Sequence, residues 1–440
     1  MNEHYSDTRK IGAAVPLKPD GTPDDNDRVE IGPTRLAFRE WEEAGIEVPN
    51  LERMRIYRHT RLVEALAKWD YGALLLTDPL NIRYATDTTN MQLWNSHNPF
   101  RVCLVLPDGY MVLWDYVRTA HLSSFNPLVR EVRDMAGLFY FSAGDLAEER
   151  AEGLAAQVVD LMRAHGSGDN KRIAVDKMQL HGIRALEAEG LEVMDGEELT
   201  EKTRAIKGLD EVHAMRCAMF ACEQAMHEME DALTPGMAEV DAWAVLQHGN
   251  FIRGGEWIET RILNSGPRTN PWMQECGPRI MQENELFAFD TDMIGCYGIC
   301  ADLSRTWWMG PGEPSAEQRR LYREAHDLIV ENTASLKPGM TFREVTFAGK
   351  ELAEEFIPQR YGSKMHGVGL CDEWPSIKWP CDLPPKGNDY ALEPGMCLCV
   401  EAYLGIPGAR DGIKLEDQVL ITEDGVENLT RYPFDATLLG

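Results

Sequence analysis

Between Phe287 and Thr306 three aspartates, Asp290, Asp292 and Asp302, sit in segments that are otherwise apolar or small. The stretch reads as a hairpin: an apolar strand, a Gly295-Cys-Tyr-Gly298 turn, and a returning strand ending in Ser304-Arg305-Thr306. Burying an ionised carboxylate costs several kcal/mol unless a cation compensates it. Three such groups in one buried hairpin therefore call for a metal. The plainer alternative is a set of exposed aspartates on an edge strand.

The chain repeats this plan. A helix from an N-cap at Asp210 to Leu233, the break at Pro235-Gly236, a helix over Ala238–Arg253 and the aspartate hairpin make one copy. A helix over Glu317–Leu336, the break at Pro338-Gly339, a helix over Phe342–Phe356 and a second hairpin make the other. That second hairpin runs from Met396 to Glu401 and from Gly412 to Val419, with Glu416 on its returning strand. Each half thus offers a carboxylate on each of two strands, 12 residues apart (Asp290, Asp302) and 15 apart (Glu401, Glu416). Two facing halves would gather four or five carboxylates at one point.

Before the repeat, residues 1 to 50 are polar and broken by Pro16, Pro19, Pro23 and Pro33, the pattern of an extended arm. Residues 51 to 200 alternate helices and strands in an α/β pattern: a helix over Leu51–Asp70, strands at Gly72–Thr77, Val102–Leu106, Tyr110–Trp114 and Arg172–Asp176, and a helix ending before Gly166. Residues 201 to 440 form the second, repeated domain. The net charge of −28 leaves no basic stripe to neutralise phosphates, which excludes nucleic acid as a partner. No run of 18 apolar residues exists, so no membrane span is expected, and the N-terminus has no apolar signal region. The ten cysteines lack paired zinc spacing; Cys296, Cys300, Cys397 and Cys399 read as small buried hydrophobes, and the cytoplasm is the expected compartment.

Carboxylates alone would suit calcium. Lys364-Met-His366-Gly-Val-Gly-Leu370 adds an imidazole in a glycine-rich apolar stretch. A lone histidine there is ordinarily a hydrogen-bonded core residue; beside paired carboxylates it reads as a nitrogen ligand. Mixed carboxylate and imidazole ligands favour Fe, Mn, Co or Zn over Mg or Ca. Five or six such ligands balance two divalent ions about 3.5–4 Å apart.

These features resemble the pita-bread family of methionine aminopeptidases, prolidases and creatinases. The resemblance spans nearly the whole chain: Asp78-Pro-Leu-Asn-Ile-Arg-Tyr84, the linker Arg204–Glu211, Asp302-Leu-Ser-Arg-Thr306, His366-Gly-Val-Gly-Leu370, Glu393-Pro-Gly-Met396 with Glu401, and Leu415-Glu416-Asp417. It implies an α+β protein, a creatinase-like α/β N-terminal domain followed by a pseudo-twofold pita-bread catalytic domain. It implies a homodimer and the ligand set Asp290, Asp302, His366, Glu401 and Glu416, with Asp292 sharing or supplementing the role of Asp290.

The departures bear on activity. Family peptidases carry a histidine shortly before the first metal aspartate, yet no histidine lies between His248 and Asp290, and the loop Gly266-Pro-Arg-Thr-Asn-Pro-Trp272 ends in tryptophan. A second histidine follows the metal histidine by about seven residues, whereas Cys371-Asp372-Glu373-Trp374-Pro375 offers only acids. Without those imidazoles amide hydrolysis loses its general acid. In this the chain is similar to the dimethylsulfoniopropionate lyases of the DddP type. That resemblance implies β-elimination of a small zwitterionic sulfonium substrate to dimethyl sulfide and acrylate, at two divalent transition-metal ions with iron first among Fe, Mn, Zn and Co. The chemistry suits the residues: a sulfonium leaves as a neutral sulfide and needs no acid, only a base near the carbon alpha to the carboxylate. Asp372 is the candidate base and Glu373 its competitor.

Aromatic faces attract a sulfonium. Trp94 and Tyr361 are the candidate substrate-binding residues, each with ordinary core packing as the equal alternative; for Trp272 core packing is favoured. Two further functions stay open at this level. One is a prolidase- or creatinase-like hydrolase using Glu373 as substitute acid. The other is a non-catalytic binding module, which the full ligand set disfavours.

Overall fold

The structure, a computed structural model, describes residues 30–440 except 136, 167–168 and 388–389. The extended arm expected over residues 1–50 lies, for 1–29, outside the described residues. Beyond them it is corrected: Arg35–Ala44 is a helix ended by Gly45 at φ 68°. Tertiary packing makes it so, since Trp41 is 1% exposed and donates its indole N–H to Cys217 O at 3.1 Å.

Next comes a six-stranded mixed sheet in the order Glu131–Asp134, Met111–Asp115, Val102–Val105, Ala73–Leu76, Arg172–Val175, Glu192–Asp195. Side chains alternate across it. Ala73, Leu75, Leu104 and Val112 pack under the helices Ala147–Ala164 and Leu180–Ala188. Leu74, Leu76, Cys103 and Val105 face a core they share with Met215 and Phe289 of the second half. The helix Leu51–Trp69 lies in that shared core through Met54, Leu62 and Leu66. Buried ion pairs reinforce the junction: Arg58 to Glu211 at 2.7 Å and Arg83 to Glu256 at 2.5 Å.

The two repeated halves are present. Helices Leu209–Ala232 and Glu239–Ile252 precede one set of strands, Ala316–Ser335 and Phe342–Phe347 the other. Two boundaries differ from expectation. Asp210 is not the N-cap; Gly208 is, and its N–H is taken by Glu211 Oε2 at 3.0 Å while Asp210 accepts from Asn50 N and Arg53. The helix expected to reach Phe356 stops at Phe347, because the buried Lys364 ammonium donates to the carbonyls of Val345, Thr346 and Ala348, and Gly349 follows at φ 70°. A short 3₁₀ turn, Glu354–Gln359, takes up the remainder.

A five-stranded antiparallel sheet runs Asp372–Ile377, Met365–Val368, Cys397–Gly405, Gly412–Ile421, Val426–Asn428. A three-stranded one runs Ser304–Met309, Glu285–Asp290, Leu263–Ser265. Thr306 stitches them, donating from Oγ1 to Lys414 O at 2.8 Å and accepting from Lys414 N at 3.1 Å. The aspartate hairpin is not one ribbon: Asp292 at φ 33° breaks it, and Met293–Ile294 and Cys300–Ala301 join Trp257–Ile258 in a separate small sheet.

Candidate metal centre

All six residues expected as ligands converge. Asp290 ends one strand and lies opposite Ser304, Glu401 lies directly opposite Glu416, and His366 lies opposite Cys399. Every one is at most 9% exposed. Single ligand atoms of Asp290, Asp292 and Asp302 come within 4.8 Å of one another, as do those of Asp302, His366, Cys399 and Glu416. Asp302 belongs to both groups, the position of a group shared between two ions. His366 Nε2 is 3.5 Å from Asp302 Oδ2, 3.5 Å from Glu401 Oε1 and 3.4 Å from Glu416 Oε1.

The stretch around His366 depends on its glycines. The strand pairing shifts register between His366 and Gly367. A Cβ on Gly367 would stand 2.4 Å from the Trp374 carbonyl oxygen, and one on Gly369 2.4 Å from Glu373 Oε1. Only glycine lets the two strands approach this closely.

Three residues that sequence reasoning did not count among the site residues complete the nest. Lys414 Nζ is 3.0 Å from Asp290 Oδ2, 3.0 Å from Glu401 Oε2 and 2.6 Å from Glu416 Oε2. Ser304 Oγ donates within reach of both Asp290 Oδ1 (2.7 Å) and Glu416 Oε2 (2.9 Å), tying the two halves together. Cys399 is buried beneath. The signal for two of them was strand alternation: Lys414 is two residues from Glu416 and Cys399 two from Glu401, hence on the same faces.

The electrostatics favour cations. Burial, then Asp290, raises Asp292 well above the usual carboxylate range, and burial, then Glu416, does the same to Asp302. Burial pushes Glu401 up to about 8 against the pull of Lys414. Burial acts on Glu416 too, yet Lys414 and His366 outweigh it and hold it low. Asp302 Oδ1 is buried with no hydrogen-bond partner. Once metal ions displace the protons from His366 and the raised acids, the five carboxylates and the Lys414 ammonium would carry four net negative charges, the charge that two divalent cations neutralise. The donor set therefore fits two such ions.

Asp372 lies beside the nest, Oδ1 3.7 Å from His366 Nδ1, with its side chain 47% exposed. Burial, partly offset by His366, pushes it up to about 6. Glu373 is different: it is fully buried, paired to Lys207 Nζ at 2.5 Å and Arg204 Nε at 3.0 Å. Tyr361 packs its ring 4.6 Å from Lys414 Nζ and lines a pocket of about 350 Å³ with Trp272 and Tyr403. Trp272 is 7% exposed and stacks on Tyr403, the core packing favoured for it. Trp94 is not brought to the carboxylates; its ring neighbours are Phe100, Tyr116, Phe139 and Phe141.

Fold and site together define a two-domain protein of the metallopeptidase M24 class. The model of Metallopeptidase family M24 matches residues 213–423, and that of the Creatinase/Prolidase N-terminal domain residues 58–206. Among solved structures, the Xaa-Pro dipeptidase from Bacillus anthracis superposes with a TM-score of 0.69 at 22% identity, covering 87% of this chain and 99% of that one. The prolidase from Pyrococcus horikoshii OT3 gives 0.67 at 18% identity, covering 86% and 99%. These share the fold. Two curated relatives, dimethylsulfoniopropionate lyase DddP of Roseovarius nubinhibens and of Roseobacter denitrificans, are 58% and 54% identical, each over 100% of both chains. The chain belongs to the DddP lyase family. No helix among the described residues is long and apolar enough to cross a membrane.

Proposed function

We propose that the chain cleaves dimethylsulfoniopropionate to dimethyl sulfide and acrylate by β-elimination, with Asp372 as the base. The observation that carries this reading is the pair of neighbouring acids. Asp372 is water-accessible beside His366, and Glu373 is locked in two ion pairs. The site thus holds a free base, while Glu373, the acid that would have to protonate a leaving amine, is held ionised by two cations. Against the prolidase-like alternative stands that same clamp on Glu373, its intended substitute acid.

In this reading the residues Asp290, Asp292, Asp302, His366, Glu401 and Glu416 hold two divalent transition-metal ions, iron first. When bound, the ions supply a positive field that binds the substrate carboxylate and stabilises charge building on it. Asp372 takes the proton from the carbon alpha to that carboxylate. The C–H electron pair becomes the C=C bond, and the C–S bond breaks with its pair passing to sulfur. Dimethyl sulfide leaves neutral, so no proton need be delivered. Tyr361 walls the site where it meets the aromatic pocket.

The domain limits 51–200 and 201–440 belong to this proposal, as do two finer points. Ten free cysteines suit the cytoplasm. The aromatic cluster around Trp94 continues into Leu93, Tyr140 and Phe141, each at least 72% exposed, a patch suited to a second copy in a homodimer. Trp94's role as a substrate contact would then be exerted across that dimer.

The test is headspace measurement of dimethyl sulfide from metal-loaded protein given dimethylsulfoniopropionate. Acrylate and sulfide should appear in equal amounts. No release, or Xaa-Pro dipeptide turnover in its place, overturns the reading.

A further inference from the structure

We propose that the cavity between the Thr346–Leu352 segment and Trp379 binds a short-chain carboxylate, the Trp379 indole N–H donating to it and the buried Lys364 ammonium supplying the opposite charge.

The cavity has a volume of about 230 Å³, and none of the six expected metal ligands lines it. Phe347, Leu352, Ile357 and Pro380 give it apolar walls. One cation and one acid, Lys350 and Glu351, stand among the lining residues. They offset each other, and Glu351 is exposed to water.

The charge lies behind the wall. Lys364 is 1% exposed and donates from Nζ to the carbonyls of Val345 at 3.2 Å, Thr346 at 3.3 Å and Ala348. Thr346 and Ala348 line the cavity, so the ammonium stands directly beyond their backbone. Among the described residues no acid pairs with Lys364, and burial alone acts on its pKa. A buried ammonium without a counter-charge is costly. Lys364 also begins the run to His366, and its carbonyl accepts from Glu401 N at 3.4 Å. The cavity therefore adjoins the backbone of two expected ligands.

The second unmet group is Trp379. It is 1% exposed, lines the same cavity, and holds its ring centroid 5.8 Å from Lys364 Nζ. Its Nε1 has no hydrogen-bond partner among the described residues. A buried donor is ordinarily satisfied. Here a donor lacks an acceptor beside a cation that lacks an anion, and one carboxylate meets both needs. Water would satisfy the N–H and leave the charge unmet. The nearby Asp382 does not serve, since Arg360 holds it in an ion pair. No arginine lines the cavity, which favours a carboxylate over a phosphate, and the apolar walls call for a hydrocarbon body. This chemistry has two sources: acrylate, the product under the lyase reading, or a longer acyl acid.

Cys381 supplies the readout. It lines the cavity and is exposed, whereas the other cysteines are buried. Its alkylation by iodoacetamide, followed by mass spectrometry on metal-loaded protein, should slow saturably as butyrate fills the cavity. Butyramide has the same shape without the charge and should need a concentration about tenfold higher. Trp379→Phe removes the N–H and keeps a ring over Lys364; it should raise the Kd for butyrate about tenfold. Circular dichroism and metal content matching wild type would show that the variant folds, and the comparison of butyrate with butyramide needs no variant. Propionate, with the three carbons of acrylate, and hexanoate distinguish the two sources, and tighter binding of either supports the site. Failure of butyrate to slow alkylation would mean a cavity filled by water only and overturns the inference. Equal protection by butyramide, or an unchanged Kd in Trp379→Phe, overturns it as well. None of these outcomes depends on dimethyl sulfide release, so the lyase reading stands or falls separately.

Discussion

Asp372 Oδ1 lies 3.7 Å from Nδ1 of His366 across two antiparallel strands. The next side chain, Glu373, points the other way into Lys207 and Arg204 of the segment that joins the two halves of the chain. Successive residues of a strand face opposite sides. Here that alternation gives two adjacent acids opposite fates. Burial raises Asp372 to about 6. Burial would raise Glu373 too, but Lys207 and Arg204 outweigh it and lower it. One acid is poised to accept a proton, and the other anchors the strand that carries it.

Asp372→Asn should therefore cut kcat by about 10²–10⁴-fold and leave metal content at the wild-type level. The working form of Asp372 is ionised, so kcat/KM should fall as the pH drops through about 6. Bound divalent ions favour the ionised carboxylate and can move this limb only to lower pH. Rate profiles on metal-loaded enzyme check both points. An acid limb centred above neutral pH would remove Asp372 from the role.

Glu373→Gln should act on stability. It leaves Lys207 buried without its counter-charge and Arg204 with Glu201 alone, a loss of about 3–5 kcal/mol visible in thermal denaturation. The sign follows from the depressed pKa of Glu373. Its contribution is fully present above the ordinary carboxylate pKa and is lost as the pH falls through the lowered one. The variant should accordingly lose less stability than wild type over that acid range.

Much of this was legible beforehand. Asp290, Asp302, Glu401 and Glu416 were readable because carboxylates in apolar strands contradict burial unless something compensates them. The repeat of helix, Pro-Gly break and hairpin showed that two halves would face each other. Other features were hidden for physical reasons. The Arg35–Ala44 helix is made by Trp41 docking on Cys217, a contact invisible in a polar, proline-broken segment. The end of the Phe342–Phe347 helix is set by an ammonium from Lys364, a tertiary contact. Trp94 reads alike as a substrate contact or a packed ring, and only its neighbours Phe100 and Phe139 place it. Lys414 was within reach of the strand period.

Stripping the metal with a chelator should lower Tm, since ions bound only by the folded chain stabilise it by about 4 kcal/mol when free metal exceeds Kd a thousandfold. His366→Ala and Asp302→Asn should each reduce the metal content measured by elemental analysis, because Asp302 belongs to both ligand groups and His366 reaches three carboxylates. Full metal content in Asp302→Asn would disprove a shared ligand there.

If the patch at Leu93, Tyr140 and Phe141 is a dimer face, replacing Tyr140 and Phe141 by serine should convert dimer to monomer in sedimentation velocity. Both rings are exposed, so the monomer itself should lose little stability. A dimer unaffected by the double change would place the interface elsewhere.

Lys414→Met offers the most direct test of the charge balance. The ammonium stands within 3.0 Å of Asp290, Glu401 and Glu416, and these carboxylates and burial together decide its protonation; burial alone would lower its pKa, but the three acids outweigh it and raise it well above normal. Removing it deprives the stripped protein of a buried cation, an expected loss of about 3–5 kcal/mol. In the loaded protein the divalent ions neutralise most of the same carboxylates, so the loss there should be smaller. The Tm gain on metal loading should therefore be larger in Lys414→Met than in wild type. Equal gains would mean that Lys414 and the ions answer to different charges, and the four-charge account of the nest would fail.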